Sequence, residues 1–208
     1  MNMGMRGSVN MPPVVKNLLI VNVIVFLAQT ILPLPLREGL LEYGALHFWK
    51  YEHFFPYQIF TYMFMHADIS HLFFNMFALW MFGRTLEYEL GAKRFLIYYF
   101  VCGIGAALFQ ILVAWVAGEY YFTMIGASGA TMGLLMAFGV MHPNNQIFIF
   151  PLPMPIKAKW FVVGYIILEV IQGWGVAGDG VAHFAHVGGM LWGWALLHFW
   201  KNRRVIYF

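Results

Sequence analysis

Residues 118–141 read GEYYFTMIGASGATMGLLMAFGVM, and this stretch sets the architecture predicted for the whole chain. The apolar run that begins at Ser128 stops at Met141, before His142-Pro143. About 20 apolar residues are needed to cross the hydrocarbon core of a bilayer, so this helix is too short. The residues before it, Gly118–Ala127, must then dip inward as non-helical backbone, which is tolerated only inside protein or beside water. The stretch predicts a helix that starts within the membrane with a serine at its N-terminus.

The composition around this stretch is that of a membrane protein. Hydrophobic residues make up 62% of the 208 residues and charged residues only 10%. Soluble domains carry about 25% charged residues. The single cysteine, Cys102, excludes an internal disulfide framework. The net charge of +3 comes from short, scattered basic clusters, a pattern that does not indicate nucleic-acid binding.

Apolar runs and helix breakers predict six transmembrane helices in an all-α membrane protein. Their expected bounds are Val14–Leu32, Asp68–Glu87, Phe95–Ala117, Ser128–Met141, Lys159–Gly173 and Val181–Trp200. They form a single membrane domain over residues 1–208, and residues 1–13 form a short cytoplasmic segment. Aromatic residues crowd the loop Pro33–Tyr57 between the first two helices. That favours an element in the interfacial layer, although an ordinary amphipathic loop without a functional role fits equally well.

The distribution of charge predicts the orientation of these helices. Ten of the twelve Lys and Arg residues fall on one side: Arg6, Lys16, Arg84, Lys93, Arg94, Lys157, Lys159, Lys201, Arg203 and Arg204. Acidic residues favour the opposite loops: Glu38, Glu42, Glu52, Glu119 and Asp179. Because basic loops remain in the cytoplasm, both termini are expected there.

Polar residues inside the spans are the candidates for function, because they are costly in a bilayer. They are His71 and Asn75 in the second span, Ser128 in the fourth, and His183 and His186 in the sixth. At about 1.5 Å of rise per residue, His71, Ser128 and His186 all lie roughly 20–22 Å above the cytoplasmic boundary. Convergence at one level predicts a hydrated cavity that opens to the outer face.

These groups suit nucleophilic catalysis. A serine nucleophile needs a base within hydrogen-bond reach and donors for the developing oxyanion. His186 is suited to be the base of Ser128, since imidazole exchanges protons near neutral pH. His71 and Asn75 lie four residues apart on one helix face, and both can donate. Small-residue stripes would let the fourth and sixth helices press together: Gly129 and Gly133, Gly189 and Gly193.

Each residue also has an ordinary structural interpretation. Ser128 alone fits a helix N-cap, and Gly-Ala-Ser-Gly does not match the Gly-x-Ser-x-Gly nucleophile elbow. His186, His71 and Asn75, each taken alone, fit hydrogen bonds between helices. The combination at one depth is what favours chemistry.

The motifs together resemble the rhomboid family of intramembrane serine proteases. The matching patterns, in order, are His66-x4-His71-x3-Asn75, Gly83-x3-Glu87-x3-Gly91, Gly126-Ala127-Ser128-Gly129 and Ala185-His186-x2-Gly189-x3-Gly193. The resemblance covers about residues 57–200 and implies a compact six-helix fold. Relatives often carry Trp-Arg where this chain has Tyr57-Gln58, a departure that bears on support of the interfacial loop.

The resemblance implies a serine endopeptidase with Ser128 as nucleophile and His186 as base, a dyad without a third acid. His71, Asn75 and the Ser128 backbone N–H would stabilise the oxyanion. The expected substrate is a single-span membrane protein cleaved near the outer face, and the expected location is the bacterial inner membrane. No cofactor, metal or nucleic-acid partner is expected, and the oligomeric state is left open. The alternatives are a non-catalytic rhomboid-like binder of membrane proteins and, less favoured, a small transporter or channel.

Other polar residues are predicted to have no role in the dyad. Glu169, near the outer end of the fifth span, is expected to be solvated by headgroups rather than to reach a histidine. Arg84 and Glu87 are expected to form a structural pair or cap. A metal site built from His66, His71, His183 and His186 is disfavoured, since the sequence shows neither zinc-ligand spacing nor an acid partner.

Overall fold

The computed structural model describes residues 11–148, 154–175 and 181–206. Arg6 and Asp179, which contribute to the predicted charge asymmetry, lie outside these residues. So do residues 1–10 of the predicted N-terminal segment.

Eight α-helices make up most of the described chain. They are α1 (Pro13–Ile31), α2 (Leu34–Gly44), α3 (Gln58–Thr61), α4 (Ile69–Leu90), α5 (Ala92–Ala117), α6 (Ser128–Met141), α7 (Ala158–Gly175) and α8 (His183–Asn202). A short 3-10 helix, Tyr62–Phe64, precedes α4. Two antiparallel pairs join β1 (Leu46–His47) to β2 (Thr123–Met124) and β3 (Gln146–Ile147) to β4 (Ile156–Lys157).

Six of these helices, α1 and α4 to α8, coincide with the six predicted segments. Their ends differ from the predicted ones by three residues or fewer. Within the described residues, α1 and α5 are the two helices that are by themselves long and apolar enough to cross a membrane. Helix α6 has the predicted 14 residues, and residues 118–127 before it are non-helical. The six-span topology stays a prediction.

The loop between α1 and α4 is an ordered element supported from inside by Gln58. It contains α2 and β1, and β1 pairs with β2 just before α6. Gln58 is completely buried, and its Oε1 accepts from the backbone N–H of Phe55. Its Nε2 donates one hydrogen to His53 O over 2.9 Å and shares the other between the carbonyls of Glu42 and Tyr43, at 3.3 and 3.4 Å. The residue that departs from the family pattern therefore supports the loop itself. Whether the loop lies in the membrane interface stays a prediction.

Helices α4 and α6 lie side by side and run in the same direction. Near their N-terminal ends, Thr131 Oγ1 donates to Asn75 Oδ1 over 3.4 Å. Near their C-terminal ends, His142 Nε2 lies 3.0 Å from the carboxylate of Glu89. The starts of both helices are thereby brought together.

Glycines set the close packing of α8 on α6. Gly129 lies beside the carbonyl of Ala185, and Gly133 lies beside that of Gly189. These two helices therefore also run in the same direction. A Cβ on Gly189 would collide with the backbone carbonyl of Gly129, so no larger residue fits there. Gly193, expected to continue the contact with α6, lies close to Tyr98 and Cys102 of α5.

Glu87 caps α1 at the end of the bundle remote from these helix starts. Only 3% of this residue is exposed. Its Oε1 accepts from the N–H of Val14 at 2.9 Å, and its Oε2 accepts from the N–H of Val15 at 2.7 Å. The first N–H groups of a helix have no acceptor within it, so this carboxylate satisfies two of them. Of the structural pair or cap expected of Arg84 and Glu87, the cap is confirmed for Glu87, and among the described residues no ion pair joins it to Arg84.

Candidate active site

A cavity of about 670 Å³ lies where the N-terminal ends of α4, α6 and α8 meet. Its polar lining includes His71, Asn75, Ser128, Thr131, Tyr165 and His186. The four side chains predicted to carry the chemistry therefore reach one cavity, as the helix-rise argument predicts. Because the N-terminal end of a helix carries a partial positive charge, the three helix starts together favour negative charge here.

Ser128 is the first residue of α6 and is partly buried. Its backbone N–H has no acceptor within the helix. Gly126 shapes the turn before it, with a φ of 117° and an N–H that donates to Tyr62 O over 2.9 Å. A Cβ at position 126 would come within 2.6 Å of His71 Nε2. Glycine is therefore required both by the backbone angle and by the approach of this turn to His71.

His71 and Asn75 are held as hydrogen-bond donors. His71 Nδ1 accepts from the N–H of Ala67 over 3.4 Å, so the proton of the neutral ring sits on Nε2. Asn75 Nδ2 donates to His71 O over 3.0 Å, and its Oδ1 accepts from Thr131. An amide nitrogen carries two hydrogens, so Asn75 keeps one for the cavity.

His186 stands one turn inside α8 and is 8% exposed. It lines the same cavity as Ser128. In the part of the chain that the structure describes, no hydrogen bond joins Ser128 Oγ to His186. Catalytic hydrogen bonds are often long in the absence of substrate and tighten when it binds. The assignment of nucleophile and base stays a prediction.

Glu169 is the neighbour of His186 that the sequence argument assigned wrongly. It was expected to be solvated, but it is only 3% exposed. Its Oε2 lies 2.9 Å from Nδ1 of His186 and 2.8 Å from Nδ1 of His183. The resemblance implied a dyad without an acid, whereas a carboxylate contacts the imidazole on the side away from Nε2.

Comparison with known proteins supports the assignment made from the motifs. A family model of the rhomboid domain matches residues 54–202, well over half of the chain. This chain belongs to the rhomboid family. It is therefore a membrane protein, and the cavity described above is that of a rhomboid domain.

Individual rhomboids resemble this chain to different extents. Rhomboid protease AarA of Providencia stuartii is 27% identical, over 90% of this chain and 72% of AarA. Rhomboid protease GlpG of Pectobacterium atrosepticum is 26% identical, over 69% of this chain and 48% of GlpG. The mitochondrial Rhomboid protein 1 of Saccharomyces cerevisiae is 32% identical, over 63% of this chain and 39% of that protein. The chain thus spans about two fifths of this mitochondrial relative.

The candidate metal ligands in this rhomboid differ from the four histidines considered from the sequence. An acidic side chain, Glu169, lies beside two of those histidines, His183 and His186. His66 and His71 contact each other edge to face on one side of the site. Glu169, His183 and His186 each offer a ligand atom, and the three atoms lie within 4.8 Å of one another. The nitrogen–oxygen distances of 2.8 and 2.9 Å are those of hydrogen bonds. Two ligands of a tetrahedral zinc ion, at about 2.0–2.1 Å from it, lie about 3.3 Å apart. The observed separations favour hydrogen bonds.

Proposed function

We propose that this rhomboid is an intramembrane serine endopeptidase with Ser128 as nucleophile and His186 as general base. The observation that carries the proposal is the shared cavity: Ser128 and His186 line it from two adjacent helices, together with two further donors. A structural serine or histidine alone would not account for all four groups at one place. The protease names of the AarA and GlpG relatives support the same activity.

The proposed reaction is acyl transfer to Ser128 followed by hydrolysis. Ser128 Oγ attacks the scissile carbonyl carbon while His186 Nε2 takes its proton. The oxyanion is stabilised by the Ser128 backbone N–H, His71 Nε2–H and Asn75 Nδ2–H. His186 then gives the proton to the leaving amine as the C–N bond breaks, which leaves an ester on Ser128. Water, deprotonated by His186, attacks the ester, and the proton returns to Ser128 Oγ as the acid leaves.

The proposed substrate is a single-span membrane protein cleaved near the outer face. A helical segment keeps its carbonyls in backbone hydrogen bonds, so cleavage requires local unwinding, and helix-breaking or small residues near the cut are expected. We further propose six spans with both termini in the cytoplasm of a bacterium, in its inner membrane. The basic residues of the described inner segments support this orientation, among them Lys93, Arg94, Lys157 and Lys201. The aromatic loop before α4 would then lie in the outer interface.

The decisive experiment is covalent labelling of the full chain in liposomes by a serine-directed phosphonate, alongside cleavage of a fluorescent single-span peptide. Wild-type protein is expected to be labelled at Ser128 and to cleave the peptide. Ser128→Ala is expected to lose labelling and to cut cleavage roughly a thousandfold or more. His186→Ala is expected to show a comparable loss, because the hydroxyl then has no base.

Ser70→Ala is the matched control. Ser70 lies at the start of α4, and its hydroxyl donates to Asp68 over 2.6 Å rather than lining the cavity. This variant should keep labelling and cleavage. Folded wild-type protein that neither cleaves nor reacts would contradict the protease proposal and favour the non-catalytic binder.

A further inference from the structure

We propose that Glu169 is a positioning residue for His186, holding its imidazole with the proton on Nδ1 and leaving Nε2 bare for Ser128. The inference rests on the proposed function and adds to it. To the dyad that the resemblance implies, Ser128 and His186, it adds two positioning side chains from α7 and α8, Glu169 and His183.

The tautomer follows from the chemistry of the carboxylate. An ionised carboxylate has only acceptors, so a ring nitrogen 2.9 Å from Glu169 Oε2 must be the donor. His186 Nδ1 therefore carries the proton, and in the neutral ring Nε2 carries the lone pair. A general base needs that lone pair toward the nucleophile. Without the carboxylate, the two tautomers of His186 would compete.

The position of Glu169 indicates that it acts through His186 and does not itself contact the substrate. Glu169 belongs to α7, whereas His186 belongs to α8. His186 lines the cavity and Glu169 does not, so a substrate meets the imidazole and not the carboxylate. Any effect of Glu169 on turnover must then pass through the orientation, tautomer or charge of His186.

His183 gives the carboxylate a second fixed contact. His183 and His186 are three residues apart, on one face of α8. Their Nδ1 atoms lie 2.8 and 2.9 Å from the same oxygen, Glu169 Oε2. Two donors from one helix turn restrict rotation of the carboxylate more than a single donor does. The sequence left the role of His183 open. In the structure, His183 fixes the Glu169 carboxylate, which in turn orients His186.

The test compares Glu169→Gln with Glu87→Gln in the full chain, reconstituted in liposomes with the fluorescent peptide. The two glutamates are equally buried, at 3% exposure, and each accepts two N–H groups. Glu169→Gln is expected to lower kcat about tenfold or more and to change KM by less than about twofold. Glu87→Gln, which lies away from the cavity, is expected to keep kcat. Glu169→Asp, which retains the charge, should fall between Glu169→Gln and wild type.

A second readout is independent of turnover. In protein labelled with ¹⁵N-histidine, NMR distinguishes a protonated ring nitrogen from a bare one. Wild-type His186, assigned by its absence from His186→Ala, is expected to show a protonated Nδ1 and a bare Nε2. Glu169→Gln is expected to lose this preference even where thermal unfolding shows that the variant is folded. A merely structural role of Glu169 would leave the tautomer unchanged.

Two results would overturn the inference. One is a folded Glu169→Gln variant whose kcat stays within about twofold of wild type. The other is a wild-type spectrum with the His186 proton on Nε2. Failure of the proposed function looks different: wild-type protein then neither cleaves nor reacts with the phosphonate, and the role of Glu169 in catalysis falls with it.

Discussion

Two buried glutamates show how the donors around a carboxylate decide what it does. Glu87 and Glu169 are each 3% exposed, and each accepts two N–H groups at 2.7–2.9 Å. Glu87 accepts from backbone amides at the start of α1, whose protons do not exchange during catalysis. Glu169 accepts from two imidazoles, the side chains that most often act as general acids and bases in catalysis. The first carboxylate fixes a helix end, and the second fixes the place of a proton.

The two glutamates also lie at different ends of the same bundle. Glu87 is near the C-terminal end of α4, whereas Glu169 contacts the first turn of α8 beside the cavity. The carboxylate of Glu87 and the carboxylate of Glu169 thus lie at opposite ends of α4. This separation makes variants at the two positions useful controls for each other.

The largest effect on stability is expected from Glu87→Ala. Removal of the carboxylate leaves the partly buried N–H of Val14 and the buried N–H of Val15 without this acceptor, at about 1–3 kcal/mol each. The free energy of unfolding should fall by about 2–6 kcal/mol, measured by titration of micelles with SDS and circular dichroism. The protein that remains folded should keep wild-type kcat. A parallel loss of kcat would show that the two ends of the bundle are not independent.

A smaller effect is expected from His183→Asn. It removes one of the two imidazoles that hold Glu169, while His186 remains in contact with the carboxylate. We expect kcat to fall by about three- to tenfold, less than in Glu169→Gln, because the carboxylate is less restricted. His198→Asn, on an exposed position of the same helix, is the matched control and should be unchanged. A His183→Asn variant with the full loss of Glu169→Gln would mean that the contact of His186 with Glu169 is not enough to position the imidazole without His183.

The smallest effect is expected from Glu89→Gln. Glu89 and His142 form a second carboxylate–imidazole pair at 3.0 Å, but their side chains are 36% and 23% exposed. Exposed ion pairs contribute about 0–1 kcal/mol, because water and salt screen them. We expect less than about 1 kcal/mol in the free energy of unfolding and no change in kcat. If Glu89→Gln lowered kcat as much as Glu169→Gln, burial would not explain why the Glu169–His186 pair matters for turnover and the Glu89–His142 pair does not.

The sequence could predict that His71, Ser128 and His186 lie at the same level along their helices, because this level depends on local helix geometry. Helix rise is constant, so counting residues from the basic ends placed His71, Ser128 and His186 at one depth. The shortness of the Ser128–Met141 run likewise predicted the non-helical segment before it. Both predictions agree with the cavity and with the bounds of α6.

The partners of Glu169 could not be predicted in this way. In a membrane protein, lipid and protein interior are both apolar, so an apolar helix does not reveal which of its faces is turned inward. The rotation of α7, which turns Glu169 toward His183 and His186 rather than toward headgroups, was therefore hidden. The closeness of Gly193 to Tyr98 and Cys102 of α5 was hidden for the same reason. Gln58 departs from the family pattern, but the sequence does not show that its side chain reaches the carbonyls of Glu42, Tyr43 and His53.

By itself the sequence predicted the six helical segments, the serine at the start of the shortest one, and the meeting of the polar groups at one level of the bundle. Each of these depends on hydrophobic run length and helix rise, which are properties of neighbouring residues. Only the tertiary structure decided that Glu169 meets His183 and His186, and that Gly189 meets the carbonyl of Gly129. The physical reason is that the rotation of each helix and the choice of its neighbours result from packing of the whole bundle, which no local pattern encodes.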